Sequence, residues 1–416
     1  TFALWYAQNI EGYRQDVRVV NTSLFATDWY IDDMKKKAFE SDPIPSQLTH
    51  DKYRFGTRDF LYYQESTQDT IDIKQWMNWV GSDDPRTKVE LESNQWAHTF
   101  PSKTIRVPVN KEAVLRNGIV AQKDADKIVP YIDITLKSNV IYKNRMMMLD
   151  VIANNNWERP IYFSGGSFGD DDYIWMKDYL QLEGVTYKLV PIKTPVAKGN
   201  PFDMGRIDED KMYDIVMNFD WGNSGSPDIY HDTETRRNGI TYRSNLARLS
   251  ETLMNEDKMD KAEDILDLAM EKMPVKYFEY YSLLEPYVLG YYEVGNKEKA
   301  RALFEEVSTI YQEKLLYYSG MKVQRQFGIA DEIISDMEKY RGLVDILIVM
   351  DTEEYARPEA SKFNDYLKLF RHFYSPEEGL DVDKRKDKDL LENDTNAINV
   401  PLDTVVQDNT NVAPEL

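Results

Sequence analysis

The chain has 416 residues and no cysteine, which excludes disulfides, cysteine-held zinc, iron–sulfur clusters and thiol nucleophiles. Its length implies two or three domains. A formal net charge of −21 at pH 7 repels phosphate backbones, so no nucleic-acid partner is expected, and anionic lipids are disfavoured wherever basic groups do not cluster.

The chain opens Thr1-Phe2-Ala3-Leu4 without a leader pattern, which reads as a processed chain or a fragment. Phe2, Trp5, Tyr6, Ile10 and Tyr13 recur at three- and four-residue steps. That spacing predicts a helix over 2–13 with one apolar face, Thr1 as its N-cap and Gly12 at its end. The β-branched run Val17 to Asn21 predicts a strand. A helix over 29–37 would then turn Tyr30, Ile31, Met34 and Ala38 to one side. Helix, strand, helix is the rhythm of an α/β layer. Pro43 and Pro45 open an irregular stretch. Strands are expected within 53–63 and 104–109, and a short helix over 73–80 carries Trp76 and Trp79.

From 143 the pattern is firmer. Met146, Leu149, Val151, Ile152 and Ala153 predict a helix, and Asn154 to Pro160 a turn in which Pro160 blocks helix continuation. A strand over 161–164 ends in Gly165-Gly166. A helix over 173–182 stops at Gly184, a strand covers 185–192, and a helix covers 211–219. Residues 1–225 therefore read as an α/β domain, a mixed or parallel sheet flanked by helices.

Residues 226–241, rich in Gly, Ser, Asn and Asp, read as a linker. Residues 242–375 read as an all-α domain of tetratricopeptide-like repeats. Leu246, Leu249, Ser250, Leu253, Ala262, Leu266, Ala269 and Pro274 have the spacing of one repeat. Leu284, Tyr287, Val288, Tyr291, Gly295, Ala300, Phe304 and Val307 reproduce it. The two sets lie 38 residues apart, Leu246 to Leu284, against about 34 in the usual repeat, so a few extra residues must intervene. Helices near 322–350 and 358–374 would complete the stack. Residues 376–416 are polar and charged and read as an extended or disordered tail.

The chemistry-bearing motifs are few. The sequence has no Walker loop, no GxSxG elbow and no HExxH. His231-Asp232-Thr233-Glu234 has metal-ligand residue types, but a polar loop accounts for them equally well; no metal and no cofactor is assigned. Gly165, Gly166 and Ser167 follow a predicted strand, where backbone amides cradle an anion or merely make a tight turn. Asp170, Asp171 and Asp172 either hold a cation or supply negative charge to a helix start. Asn21, Asp28, Trp29 and Tyr30 lie past the end of the first predicted strand. They are candidate ligand or acceptor contacts by the crevice rule, and core anchors by the burial rule, which favours the latter for Trp29 and Tyr30. No catalytic residue can be picked from 72 acidic side chains.

Three stretches carry a resemblance. They are Phe2-Ala3-Leu4-Trp5-Tyr6-Ala7-Gln8 with Arg14 to Asn21 and Thr27 to Ile31; Asn155-Asn156-Trp157-Glu158-Arg159-Pro160-Ile161-Tyr162-Phe163; and Tyr179 to Gly184 with Lys188 to Ile192. Over about its first half the chain resembles the C-terminal, non-membrane part of a family of bacterial polytopic membrane proteins. That family was long catalogued as a domain of unknown function and is grouped with protein O-mannosyltransferase-like enzymes of the GT-C class. The resemblance implies membrane helices before Thr1, a lipid-phosphate-linked sugar donor, and a place on the periplasmic side of the inner membrane. It implies a catalytic acid in the membrane part, outside this chain. The chain would then be non-catalytic and would position a polypeptide acceptor. The alternative is a free-standing scaffold that binds a partner protein or a glycan through the repeats, with Tyr280, Tyr281, Tyr287, Tyr291 and Tyr292 as aromatic contacts.

Overall fold

The computed structural model describes residues 2–65, 69–91, 96–164, 175–195 and 204–383. The expectations for Thr1, Gly165, Gly166, Ser167, Asp170 to Asp172 and the tail beyond 383 lie outside the described residues. The chain divides into two compact units, the first formed by residues 1–182, 186–196 and 204–206.

The first unit is α/β, with mixed sheets. Its helices are α1 (Phe2–Asn9), α2 (Asp28–Met34), α3 (His50–Tyr53), α4 (Ile73–Gly81), α5 (Lys111–Arg116) and α6 (Lys143–Asn155). Its strands are β1 (Phe60–Tyr63), β2 (Thr70–Asp72), β3 (Lys88–Glu90), β4 (Trp96–Phe100), β5 (Thr104–Pro108), β6 (Tyr131–Thr135), β7 (Val140–Tyr142), β8 (Tyr162–Ser164), β9 (Leu180–Glu183), β10 (Thr186–Leu189) and the edge pair β11 (Arg206–Ile207). Three sheets have the orders β3-β4-β1-β7, β2-β5-β6 and β11-β9-β10-β8. β1 runs parallel to β4 and β2 parallel to β5, while β1–β7, β3–β4, β5–β6 and β8–β10 are antiparallel.

The core is built on α4 and α6. Asp72 caps α4, its Oδ1 accepting from the Lys74 amide at 2.8 Å. Ile73, Trp76, Met77 and Val80 then fall at i, i+3, i+4 and i+7 on one buried face. Trp76 donates its indole N–H to the Ser102 carbonyl at 3.0 Å, so the ring is buried without stranding a donor. α6 is buried along most of its length, with Met146, Met147 and Leu149 inaccessible to solvent.

Two expectations are corrected here. Val17 to Asn21 is not a strand. The segment leaves a turn at Val17 and pairs with no described strand. Side chains take its backbone groups instead: Gln8 donates to the Val17 carbonyl at 2.8 Å, and Tyr30 accepts from the Asn21 amide at 2.8 Å. β-branched residues favour extended backbone, but only a paired neighbour makes a strand. The helix expected over 173–182 is also absent from the described part of that stretch. A 3-10 turn at Lys177–Tyr179 leads into β9, and Gly184 at φ +66° turns the chain into β10. Leu180, Gln181, Leu182 and Glu183 alternate apolar and polar as a strand requires, but the run is only four residues long and its sequence reads as the end of a helix; all four are buried.

The second unit is all-helical: α7 (Glu209–Met217), α8 (Thr233–Asn255), α9 (Met259–Lys272), α10 (Val275–Phe278), α11 (Glu285–Glu293), α12 (Lys297–Ser319), α13 (Val323–Phe327), α14 (Ala330–Met350) and α15 (Glu353–Leu369). Its longer helices pack in consecutive pairs, α8 on α9, α11 on α12 and α14 on α15, as a helical repeat does. Ala262 and Ala300 are fully buried at the close approaches, as their spacing predicted. The extra residues between the first two pairs are α10 and a 3-10 turn at Tyr281–Leu283. α8 begins at Thr233, within the stretch expected as a linker, because Asp232 caps it by accepting from the Glu234 and Thr235 amides at 2.8 and 3.0 Å.

Candidate functional site around Trp29

The loop from Asn21 to Asp28 is a hydrogen-bonded knot. Asn21 Oδ1 accepts from the amides of Ser23 and Leu24 at 3.0 and 3.2 Å, which folds the backbone back toward α2. The Tyr30 ring is buried between Phe25, at 5.8 Å, and Trp5, at 6.4 Å. Burial pushes its hydroxyl pKa up. Tyr30 is thus the core anchor that the burial rule expected. Trp29 is not. It is 60% exposed and meets Tyr30 edge-on at 5.6 Å. Adjacent helix residues point about 100° apart, and the core lies on the Tyr30, Ile31 and Met34 side of α2, which leaves Trp29 outside.

The carboxylates beside Trp29 are committed. Asp28 accepts from the Phe55 amide at 3.2 Å and the Trp29 amide at 2.8 Å, and these bonds hold its pKa below the usual carboxylate range. Asp32 is pushed up by burial but more strongly down by Tyr53, whose hydroxyl donates at 2.7 Å, and by His50, at 2.9 Å. Tyr53 is raised in turn, by burial first and Asp32 second. Asp150 on α6 is fully buried. It accepts from Ser46 and the Gln47 amide, yet burial leaves its pKa raised. The Lys35 ammonium lies over the Tyr53 ring at 5.1 Å and donates to the Leu48 carbonyl. These contacts pin the irregular 41–59 segment against α2 and α6. None of these three carboxylates faces a cavity with both oxygens free, as acid–base work requires. The arrangement presents an aromatic surface. Phe55, at 85% exposure, completes it. Sequence reasoning missed Phe55; its only signal was a lone aromatic ahead of a Gly-Thr turn.

The Asn155 to Pro160 motif is a structural clamp. Asn156 and Trp157 hold left-handed backbone at φ +46° and +61°. Trp157 is buried and donates its indole N–H to the Pro108 carbonyl at 2.9 Å. Asn155 donates to the Arg159 carbonyl at 2.7 Å, and Arg159 reaches the Asp42 and Pro43 carbonyls at 3.2 Å. Glu158 takes a bidentate contact from Arg116 at 2.8 and 2.9 Å. Asn155, Trp157, Glu158 and Arg159 thereby join α5, α6, β5 and the 41–43 loop, while Asn156 is exposed and makes the left-handed turn that ends α6.

In the second unit, His231 Nε2 donates to the Ser224 carbonyl at 2.7 Å, and the ring stacks on Tyr277 at 5.2 Å, while Asp232 is the α8 cap. Among the described residues no group of three His, Asp or Glu is arranged to hold a metal ion. Tyr287, Tyr291 and Tyr292 are core residues, and Tyr280 and Tyr281 are half-buried. The five tyrosines therefore do not form the exposed contact surface expected of them. Arg243 is also buried, capping the Met273 carbonyl at 2.7 Å, and burial lowers its pKa to about 10.

Fold and site together describe an α/β unit with an exposed aromatic surface and no assembled catalytic group among its described residues, joined in sequence to a helical repeat-like region. Residues 1–211 match the family model of TMEM260-associated domain 2, and the chain belongs to that family, which is linked to a membrane protein. No curated protein matches the chain, and no solved structure matches it. No helix among the described residues is long and apolar enough to cross a membrane.

Proposed function

We propose that this chain is the water-facing, non-catalytic region of a membrane-bound glycosyltransferase of the GT-C, protein O-mannosyltransferase-like type. In this reading it lies on the periplasmic side and positions a polypeptide acceptor near the membrane site. The observation that carries it is the family match over 1–211, to a family linked to a membrane protein. The saturation of Asp28, Asp32 and Asp150 supports a binding rather than a reacting role. The test is the complete reading frame and its product. A multi-helix hydrophobic region must precede Thr1, and the intact protein must glycosylate a polypeptide that the isolated chain does not. A reading frame without such a region, or sugar transfer by the isolated chain, ends the proposal.

A free-standing scaffold is the second reading, and one feature favours it. Leu316 and Tyr317 at the end of α12, with Val323 and Phe327 on α13, are exposed at 51 to 68%. Tight capture of a peptide by the whole chain, lost in Tyr317→Ser and Phe327→Ser, would select it over the first.

A further inference from the structure

We propose that the outer side of α1, together with Trp29 and Phe55, is a bilayer-contact surface that seats the first unit in the headgroup zone of a membrane. The starting observation is a mismatch between composition and burial. α1 contains no charged residue, in a chain of which 30% is charged. An uncharged, largely apolar helix belongs in a core or at a bilayer. Yet α1 has no buried residue, and Phe2, Leu4 and Tyr6 are exposed at 77, 53 and 57%. Trp5 turns inward, half-buried against Tyr30, and Ala7 and Gln8 are half-buried as well.

The exposed rings flank one interior ring, the buried Tyr30. Phe2 meets Trp5 at 5.6 Å, Trp5 meets Tyr30 at 6.4 Å, and Tyr30 meets Trp29 at 5.6 Å. Asp28 then fixes Phe55 beside Trp29 through its backbone amide. Phe2, Leu4, Tyr6, Trp29 and Phe55 are thus exposed apolar side chains on neighbouring segments, unlike the scattered single residues of an ordinary surface.

Its chemistry selects lipid over protein. Trp and Tyr side chains favour the bilayer interface, and an uncharged helix enters it without desolvating an ion. Protein interfaces need a hydrogen bond every 100–200 Å² or so, but α1 offers few groups for one. The Tyr6 hydroxyl is already spent on Glu11 at 2.8 Å, and Gln8 on the Arg14 and Val17 carbonyls. The net charge of −21 points to zwitterionic rather than anionic lipid. The inference rests on α1 and on the family link, and does not depend on glycosyl transfer.

The test is flotation of the whole chain with phosphatidylcholine vesicles, with and without phosphatidylglycerol, and tryptophan quenching by lipids brominated in their acyl chains. The chain should float with phosphatidylcholine, keep floating at high salt, and bind no better when phosphatidylglycerol is added. Brominated lipid should quench it, and Trp29→Phe should remove part of the quenching. The combined variant Phe2→Ser, Leu4→Ser, Trp29→Ser should lower the bound fraction about tenfold with an unchanged circular dichroism spectrum, since all three side chains are exposed. Absence of flotation, or equal flotation of the combined variant, overturns the proposal. So does self-association that the variant abolishes without any lipid binding, which would make the surface a contact between copies. Failure here leaves the glycosyltransferase proposal standing on its own test, the upstream reading frame, and the converse holds.

Discussion

Trp157→Ala is the sharpest probe of the Asn155 to Pro160 motif, because it separates a folding clamp from a ligand site. Trp157 is 6% exposed. A buried indole removes roughly 200 Å² or more from water, worth about 5 kcal/mol at 25 cal/mol per Å², an upper bound for an extended unfolded chain. Large-to-small substitution of a buried Trp measures about 3–5 kcal/mol, so about 4 kcal/mol is expected here. The indole bond to the Pro108 carbonyl is included in that figure. Trp157→Phe keeps most of the apolar contact and should lose only about 1–2 kcal/mol. Alanine gives no relief from the left-handed backbone at φ +61°, whereas Trp157→Gly does, by about 1 kcal/mol. Amide hydrogen exchange on α4 and α6 reads the first unit separately from the second. The reasoning is refuted if α6 protection in Trp157→Ala stays within about 0.5 kcal/mol of wild type, or if exposed Trp29→Ala costs as much.

Three further outcomes follow from the same contacts. Lys258 and Lys261 hold Asp210 at about 2 through hydrogen bonds; a carboxylate depressed in the folded state lends stability above its unfolded pKa and loses it on protonation. The melting temperature of the second unit should therefore fall from about pH 4 down to about pH 2, and Asp210→Asn should flatten that part of the curve. His98 is lowered to about 4, chiefly by burial and then by Arg58. The unfolded chain binds its proton first, so the first unit should lose stability as pH drops from 6.5 toward 4. An NMR titration of His98 with a midpoint near 6.5 would contradict this. In Gly239→Ala the new methyl would stand 2.7 Å from Phe278 Cδ1. Phe278 is buried and cannot swing away, so overpacking of about 1–3 kcal/mol should outweigh the helix-propensity gain of up to about 1 kcal/mol. A higher melting temperature would show the contact to be looser.

Much of the fold could be read from local pattern. The helix with Trp76 is expected over 73–80, and the structure adds the Asp72 cap and the buried i, i+3, i+4, i+7 face that hold it. The repeat declared itself through Ala262 and Ala300, since only small residues fit where paired helices touch. The errors came where pairing decides. Val17 to Asn21 has strand chemistry but pairs with no described strand. The alternation Leu180-Gln181-Leu182-Glu183 is only four residues long, too short to mark β9 against a helical reading. At the candidate site, the sequence placed Asn21, Asp28, Trp29 and Tyr30 together correctly as neighbours, but it could not say which would face outward.

Sequence alone established the class of the chain: an α/β part, then a helical repeat, acidic and without cysteine. Those features depend on composition and on periods of two and 3.6 residues, which any window of the chain displays. Tertiary structure alone decided that Tyr30 is core and Trp29 surface, that α1 leaves apolar side chains exposed, and that Asn155, Trp157 and Arg159 bond backbone carbonyls while Glu158 pairs with Arg116. The physical reason is that burial and hydrogen-bond satisfaction are properties of partners distant in the chain, and no local pattern encodes which partners arrive.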